Sequence, residues 1–112
     1  MWWRRVAGAV AAAVLSVGMA SAEVVQVKYQ GAVDLVHFNC DTITRSSFIQ
    51  RVCYDEQNRY MLISLNGTYY GYCGIPITEV ASLRAAPSMG QYFNAHIKGR
   101  YDCRVTPPPT YR

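Results

Sequence analysis

Close cysteine pairs are missing from this chain. Its four cysteines (Cys40, Cys53, Cys73, Cys103) are scattered, and the nearest two are 13 positions apart. Zinc sites draw their thiolates from close pairs such as Cys-x-x-Cys, so this spacing argues against a metal centre. No Gly-x-Ser-x-Gly nucleophile elbow occurs, and cysteines held in disulfides cannot act as nucleophiles. Histidine is scarce: His37 and His96 are the only two, and nothing in their spacing brings them together for acid–base work. No apolar run is long enough for a bilayer span. The longest, Val6 to Met19, has about 14 residues where a spanning helix needs ~20. Nor is there an internal repeat or a second domain. These absences leave a small binding module, with no metal or cofactor, ahead of an enzyme.

The short apolar run has its own meaning. Arg4 and Arg5 precede it and Ala20-Ser21-Ala22 follows, which is the layout of a cleavable signal peptide over residues 1–22. No cysteine stands at the cleavage point for a lipid, and no twin-arginine continuation follows the Arg pair. The mature chain is expected to start at Glu23, to be periplasmic or secreted, and to have no stable membrane insertion after processing. Charge follows from this. The full chain has 11 Lys+Arg against 7 Asp+Glu, and removing Arg4 and Arg5 leaves nine against seven. A net charge near +2 is ordinary and does not by itself point to nucleic acid.

An even number of cysteines in an exported chain reads as two disulfides. A mature chain of about 90 residues builds one modest core, to which each bridge adds roughly 2–4 kcal/mol. Strand signals begin in an N-terminal arm (23–45). Glu23 to Val27 reads as an edge strand or ordered arm, and Val33, Leu35, Val36 and Phe38 as a strand-like run ending at Asn39-Cys40-Asp41. Asp41 to Ser47 reads as a connector. Phe48 to Tyr54, Tyr60 to Leu65 and Thr68 to Cys73 then form a meander. Asn66-Gly67 joins the last two strands, because both residues tolerate the positive φ of a type I′ turn. Cys53 and Cys73 thereby lie two strand spacings apart, about 9.6 Å, beyond the ~7 Å reach of a bridge. Among the remaining pairings the balance leans to Cys40–Cys53 with Cys73–Cys103.

The period changes after Gly74. Pro76 suits a helix start, Val80, Leu83 and Ala86 fall at helical spacing, and Pro87 ends the segment. Ser88 with Gln91 is a capping box for a second helix. Met89, Tyr92, Phe93, His96 and Ile97 share one stripe of it, which makes His96 a partly buried histidine. Gly99 is placed to stop it. Residues 105–112, with three successive prolines, read as an extended, mobile tail. The fold class is therefore α+β: a small antiparallel meander of three to four strands followed by two short helices.

The stretch from Asn66 to Tyr101 carries a further pattern. It holds a Tyr-x-Tyr pair (Tyr70, Tyr72), Ile75-Pro76, Ala86-x-Ser88-x-Gly90, and the run Tyr92-Phe93-Asn94 to Ile97-x-Gly99-x-Tyr101. In these residues the chain resembles the KTSC domain family, small modules at the C-terminus of some lysyl-tRNA synthetases and in free-standing bacterial proteins. The resemblance covers residues 46–104 and implies a fold but no established activity. Ser64 departs from many members of the family, which have an aromatic or aliphatic residue three positions before the hairpin glycine, so a shift or bulge is expected in the Tyr60–Leu65 strand. The cysteines are a second departure, in keeping with an exported variant.

Candidate contacts gather near the second helix. Tyr70 and Tyr72 point to one face of their strand. Exposed, they form a stacking platform; covered, they belong to the core under the helices, which is the favoured reading. Lys98, Arg100 and Arg104, with Arg84 near them, concentrate positive charge after the second helix, where cations also oppose the helix dipole. Asn94 either holds a turn or meets ligand. The expected ligand-binding set is Tyr70, Tyr72, Asn94, Lys98 and Arg100. The function read from the chain is an exported, monomeric, non-enzymatic binding module for an envelope protein or anionic polymer. RNA binding ranks second, since tRNA is not charged outside the cytoplasm. A small ribonuclease using His37, His96 and Lys98 ranks third.

Overall fold

The computed structural model describes residues 23–108, 110 and 111, so the signal-peptide segment lies outside the described residues. The strands are β1 (Val24–Val27), β2 (Gly31–Asp34), β3 (Asn39–Thr42), β4 (Ile49–Asp55), β5 (Tyr60–Leu65) and β6 (Thr68–Cys73). Helix α1 (Ile77–Ala85) and a short α2 (Met89–Tyr92) follow, the latter continuing as one wide π turn over Phe93–Ile97. The fold is α+β, as expected, but the sheet has six strands in the order β2-β1-β6-β5-β4-β3.

The additional strands come from the arm. Gly31 (φ 85°) and Tyr29 (φ 69°) make the tight turn that folds β1 back against β2. The run from Val33 to Phe38 is not one strand. The Asp34 carboxylate accepts from the Val36 amide at 3.0 Å and caps a 3-10 turn over Leu35–His37. The chain emerges from that turn as β3, so Asp41 lies in a strand and not in a connector. β3 then pairs with β4, placing Cys40 directly opposite Cys53.

Both faces of the central meander are covered, which explains why β5 is apolar at every position but Ser64. Val52, Tyr54, Met61 and Ile63 form one face, beneath Val80 and Leu83 of α1 and Met89, Phe93 and Ile97 of the second helix. Tyr60, Leu62, Cys53 and Cys73 form the other, against Val27, Val33 and Leu35 of the arm. Each large apolar side chain fully buried this way contributes roughly 1.5–3 kcal/mol. The arm therefore completes a second core.

The irregularity expected in β5 falls on its neighbour. β5 pairs with β6 without a break, whereas β4 steps from Ile49 opposite Leu65 to Arg51 opposite Ser64. The extra residue, Gln50, turns its amide oxygen to the Gly67 amide at 2.9 Å and fixes the hairpin beside it. Helix boundaries follow the sequence signals. Pro76 precedes α1, and Ser88 Oγ accepts from the Gln91 amide at 3.3 Å. Gly99 (φ 78°) ends the π turn. Gly90 sits so close to Phe48 that a Cβ would come within 2.5 Å of its ring.

Candidate functional site

Strand β6 has an outer edge that its neighbours cover only in part. In an antiparallel ladder alternate residues turn their N–H and C=O away from the partner strand. In β6 these are Tyr69, Gly71 and Cys73. The Tyr69 carbonyl accepts from the Lys28 amide at 2.9 Å, where β1 makes its parallel contact. The Cys73 amide donates to the Tyr101 carbonyl at 2.8 Å. Between these two, Gly71 meets no backbone partner among the described residues. Its peptide groups face a cleft of about 940 Å³.

Three segments wall this cleft, and Pro108 of the tail adds to its lining. Lys28, Tyr29 and Gln30 of the β1–β2 turn stand on one side, Tyr70 to Tyr72 form the floor, and Gly99 to Arg104 close the other side. The far wall is held in several ways. The Cys73–Cys103 disulfide ties it to the end of β6, with Cα atoms 4.9 Å apart. The Tyr101 hydroxyl donates to Glu79 Oε1 at 2.7 Å, and the Tyr92 hydroxyl donates to the other oxygen. Burial pushes the Glu79 carboxyl up. The two phenols, with the His96 and Arg100 charges, outweigh it and leave the group below its ordinary range. Tyr101 itself adopts φ 57°, which turns its carbonyl to β6 and its ring to α1.

Charge at the rim is positive. Lys28 and Arg100 are exposed and, among the described residues, neither is in a salt bridge. Arg104 is paired with Asp102 at 2.7 Å. Tyr29 is 91 % exposed, with the Lys28 ammonium 5.6 Å from its ring centre.

The structure divides the candidate residues read from the sequence. Tyr70, Tyr72 and Arg100 line the cleft, whereas Asn94 and Lys98 are exposed on the helix outside it. Tyr70 and Tyr72 are half-buried and pack against the helix-covered core. The Tyr72 ring meets Phe93 edge-on at 5.8 Å, and burial followed by the Tyr70 neighbour pushes its phenol up to about 12. Arg84 is not with the other cations. It pairs with Asp41 at 2.8 Å and donates to the Asn39 carbonyl at 3.1 Å, at the β3 edge. His96 is exposed, stacked on Tyr92 with ring centres 4.4 Å apart, because the π turn rotates it off the buried stripe. His37 lies in the turn between β2 and β3. Lys28, Tyr29 and Gln30 were missed in the sequence. The one available signal was a polar Lys-Tyr-Gln-Gly turn between two valine-rich runs.

Comparison with known proteins places the scaffold. The KTSC domain family model matches residues 45–101, just over half of the chain. This chain belongs to the KTSC domain family. Its KTSC portion comprises β4, β5, β6 and the helices, so the arm and the Cys103 segment are built around it. A solved KTSC domain protein from Yersinia pestis is 29% identical, with a TM-score of 0.54 over 58% of this chain and 92% of that one. A lysine–tRNA ligase of Trichormus variabilis is 36% identical over 56 residues, which are 49% of this chain and 10% of the ligase. The chain thus spans a tenth of that relative's length. Of the cleft, the floor, Arg100 and Tyr101 lie within the KTSC portion, whereas Lys28 to Gln30 and Cys103 come from the additions.

Proposed function

We propose that this KTSC domain is an exported, non-enzymatic binding module, and that its cleft takes an extended acidic segment of a partner protein. The observation that carries the proposal is the open Gly71 position on the β6 edge, flanked by Lys28 and Arg100. An extended peptide adding to a sheet edge gains directional main-chain hydrogen bonds, and side pockets select its residues. Cations on either side speed the encounter of an acidic segment and favour it over a basic one. The fixed wall from Gly99 to Arg104 lowers the ordering cost of binding. Disulfides at Cys40–Cys53 and Cys73–Cys103 are compatible with an oxidising, extracytoplasmic setting.

A blocked peptide of alternating Val and Glu, titrated into protein starting at Glu23, tests this directly. The Gly71 amide resonance is expected to shift on binding. The double substitution Lys28→Ala/Arg100→Ala should weaken affinity at least tenfold with the thermal midpoint nearly unchanged. Lys98→Ala, outside the cleft, should leave affinity intact. An unmoved Gly71 amide rejects the proposal. Tight binding of a single-stranded RNA, steeply weakened by salt, would favour the nucleic-acid reading instead.

A further inference from the structure

A second built site shares no lining residue with the cleft, although the Tyr60 hydroxyl at its wall donates to Gln30 on the cleft side. Tyr111, in the segment read as an extended tail, returns to the sheet. Its ring stacks on Tyr60 with centres 5.7 Å apart and planes at 18°, and lies 5.0 Å from Phe38. Its hydroxyl donates to Asp55 Oδ2 at 2.6 Å. Asp55 is only 3% exposed, and the Asn58 side-chain amide donates to the same oxygen at 2.7 Å. Beside Tyr111, Val36, His37 and Gln57 border about 270 Å³ of further space.

We propose that Phe38, Tyr60, Asp55 and Asn58 form an acceptor site for a tyrosine side chain on an extended, proline-containing peptide, filled here in cis by the chain's own Tyr111. Aromatic walls alone would hold any apolar side chain. The buried carboxylate at the end of the slot makes the site selective, because a carboxylate accepts hydrogen bonds and cannot donate them. A phenol satisfies it; a phenyl ring leaves it under-bonded at a desolvated position. The residues leading to Tyr111 include Pro107 and Pro108, and such segments are already extended before they bind, so little entropy is lost on docking. The tail is tethered at Cys103 by the Cys73 disulfide. A short flexible tether gives an effective concentration in the millimolar range, so an outside peptide competes poorly until the tail leaves.

The experiment uses the chain from Glu23 in three forms: intact, ending at Thr106, and carrying Tyr111→Ala. Each is titrated with a synthetic peptide of residues 106–112 and with its Tyr111→Phe version, following the Tyr60 ring and Asn58 side-chain resonances. The shortened and Tyr111→Ala chains are expected to bind the tyrosine peptide at least tenfold more tightly than the intact chain, and the phenylalanine peptide at least fivefold less tightly than the tyrosine one. Asp55→Asn in the Tyr111→Ala chain should narrow the preference for tyrosine, because a neutral amide oxygen accepts a weaker hydrogen bond than a carboxylate. Equal binding by intact and opened chains, equal binding of the two peptides, or no binding by an opened chain would each overturn the proposal. Because Asn58 borders this site and not the cleft, its side-chain resonance separates the two, and a failure here leaves the Gly71 cleft to its own test.

Discussion

At the scale of single residues, Glu79 and Tyr72 are the side chains whose roles can be measured most directly. Glu79 accepts from Tyr101 of the cleft wall and from Tyr92 of α2, and hydrogen bonds to a charged acceptor are each worth about 1.5–3 kcal/mol. Glu79→Gln keeps the shape and weakens both bonds, so a loss of about 1–2 kcal/mol is expected in urea unfolding at pH 7. Its folded-state pKa is lowered from an ordinary 4.5. The stabilisation is therefore complete above the unfolded value and is lost as pH falls through the lowered one. The parent's thermal midpoint should fall on acidification below that range, and the Glu79→Gln midpoint should fall less steeply. Asp55 and Glu23, also lowered, keep part of the acid sensitivity in both proteins. Tyr72 contributes its ring. Tyr72→Ala should cost about 3 kcal/mol by leaving a gap against Phe93, whereas Tyr72→Phe should cost less than about 1 kcal/mol. Near-parent stability of the alanine variant would return Tyr72 to the role of an exposed stacking surface.

Among the elements, the two disulfides have different tasks. Cys40–Cys53 bridges directly opposed residues of β3 and β4, so it reinforces a pairing that the ladder already makes. Cys73–Cys103 fixes a loop that has little regular structure of its own, and that loop is a wall of the cleft. Replacing either pair by serine should lower stability by roughly 2–4 kcal/mol, more for the longer loop closed by Cys73–Cys103. Affinity for the acidic peptide should separate them: it should fall for the Cys73/Cys103 variant and persist for the Cys40/Cys53 variant. Equal loss in both would mean that the cleft depends on global stability alone.

For the whole molecule, the arm and the Cys103 segment convert a KTSC scaffold into a two-core protein with a cleft at the seam. Glu23, the first residue after the proposed cleavage point, is tied down: its carboxylate meets the Arg51 guanidinium at 2.5 and 3.0 Å. Processing at Ala22 would leave that pair intact. Intact-mass measurement of exported protein is expected to show a chain starting at Glu23 with two disulfides; a mass that retains residues 1–22 contradicts the signal-peptide proposal. Among the described residues no helix is long and apolar enough to cross a membrane.

What the sequence determined by itself is local. The Asn66-Gly67 turn, the three strands around it, the helix limits at Pro76, Ser88 and Gly99, and the family resemblance all rest on neighbours within a few positions, where backbone sterics and capping bonds act. The pairing of cysteines could be narrowed, since strand spacing forbids Cys53–Cys73. Ser64 announced an irregularity, but the choice of β4 over β5 to carry it depended on Gln50 reaching Gly67. Only the tertiary structure decided the rest. Short β1 and β2 have too few apolar residues to declare their partners, and they join the sheet because Val27 and Val33 cover a face that the helices leave bare. That placement brings Lys28 and Tyr29 opposite Arg100, and it leaves Gly71 open between them. His96 turned outward because a π turn, which no residue pattern in the helix signals, shifts the stripe. Tyr111 found Asp55 because a buried carboxylate needs a donor, and which donor reaches it is settled by three-dimensional packing alone.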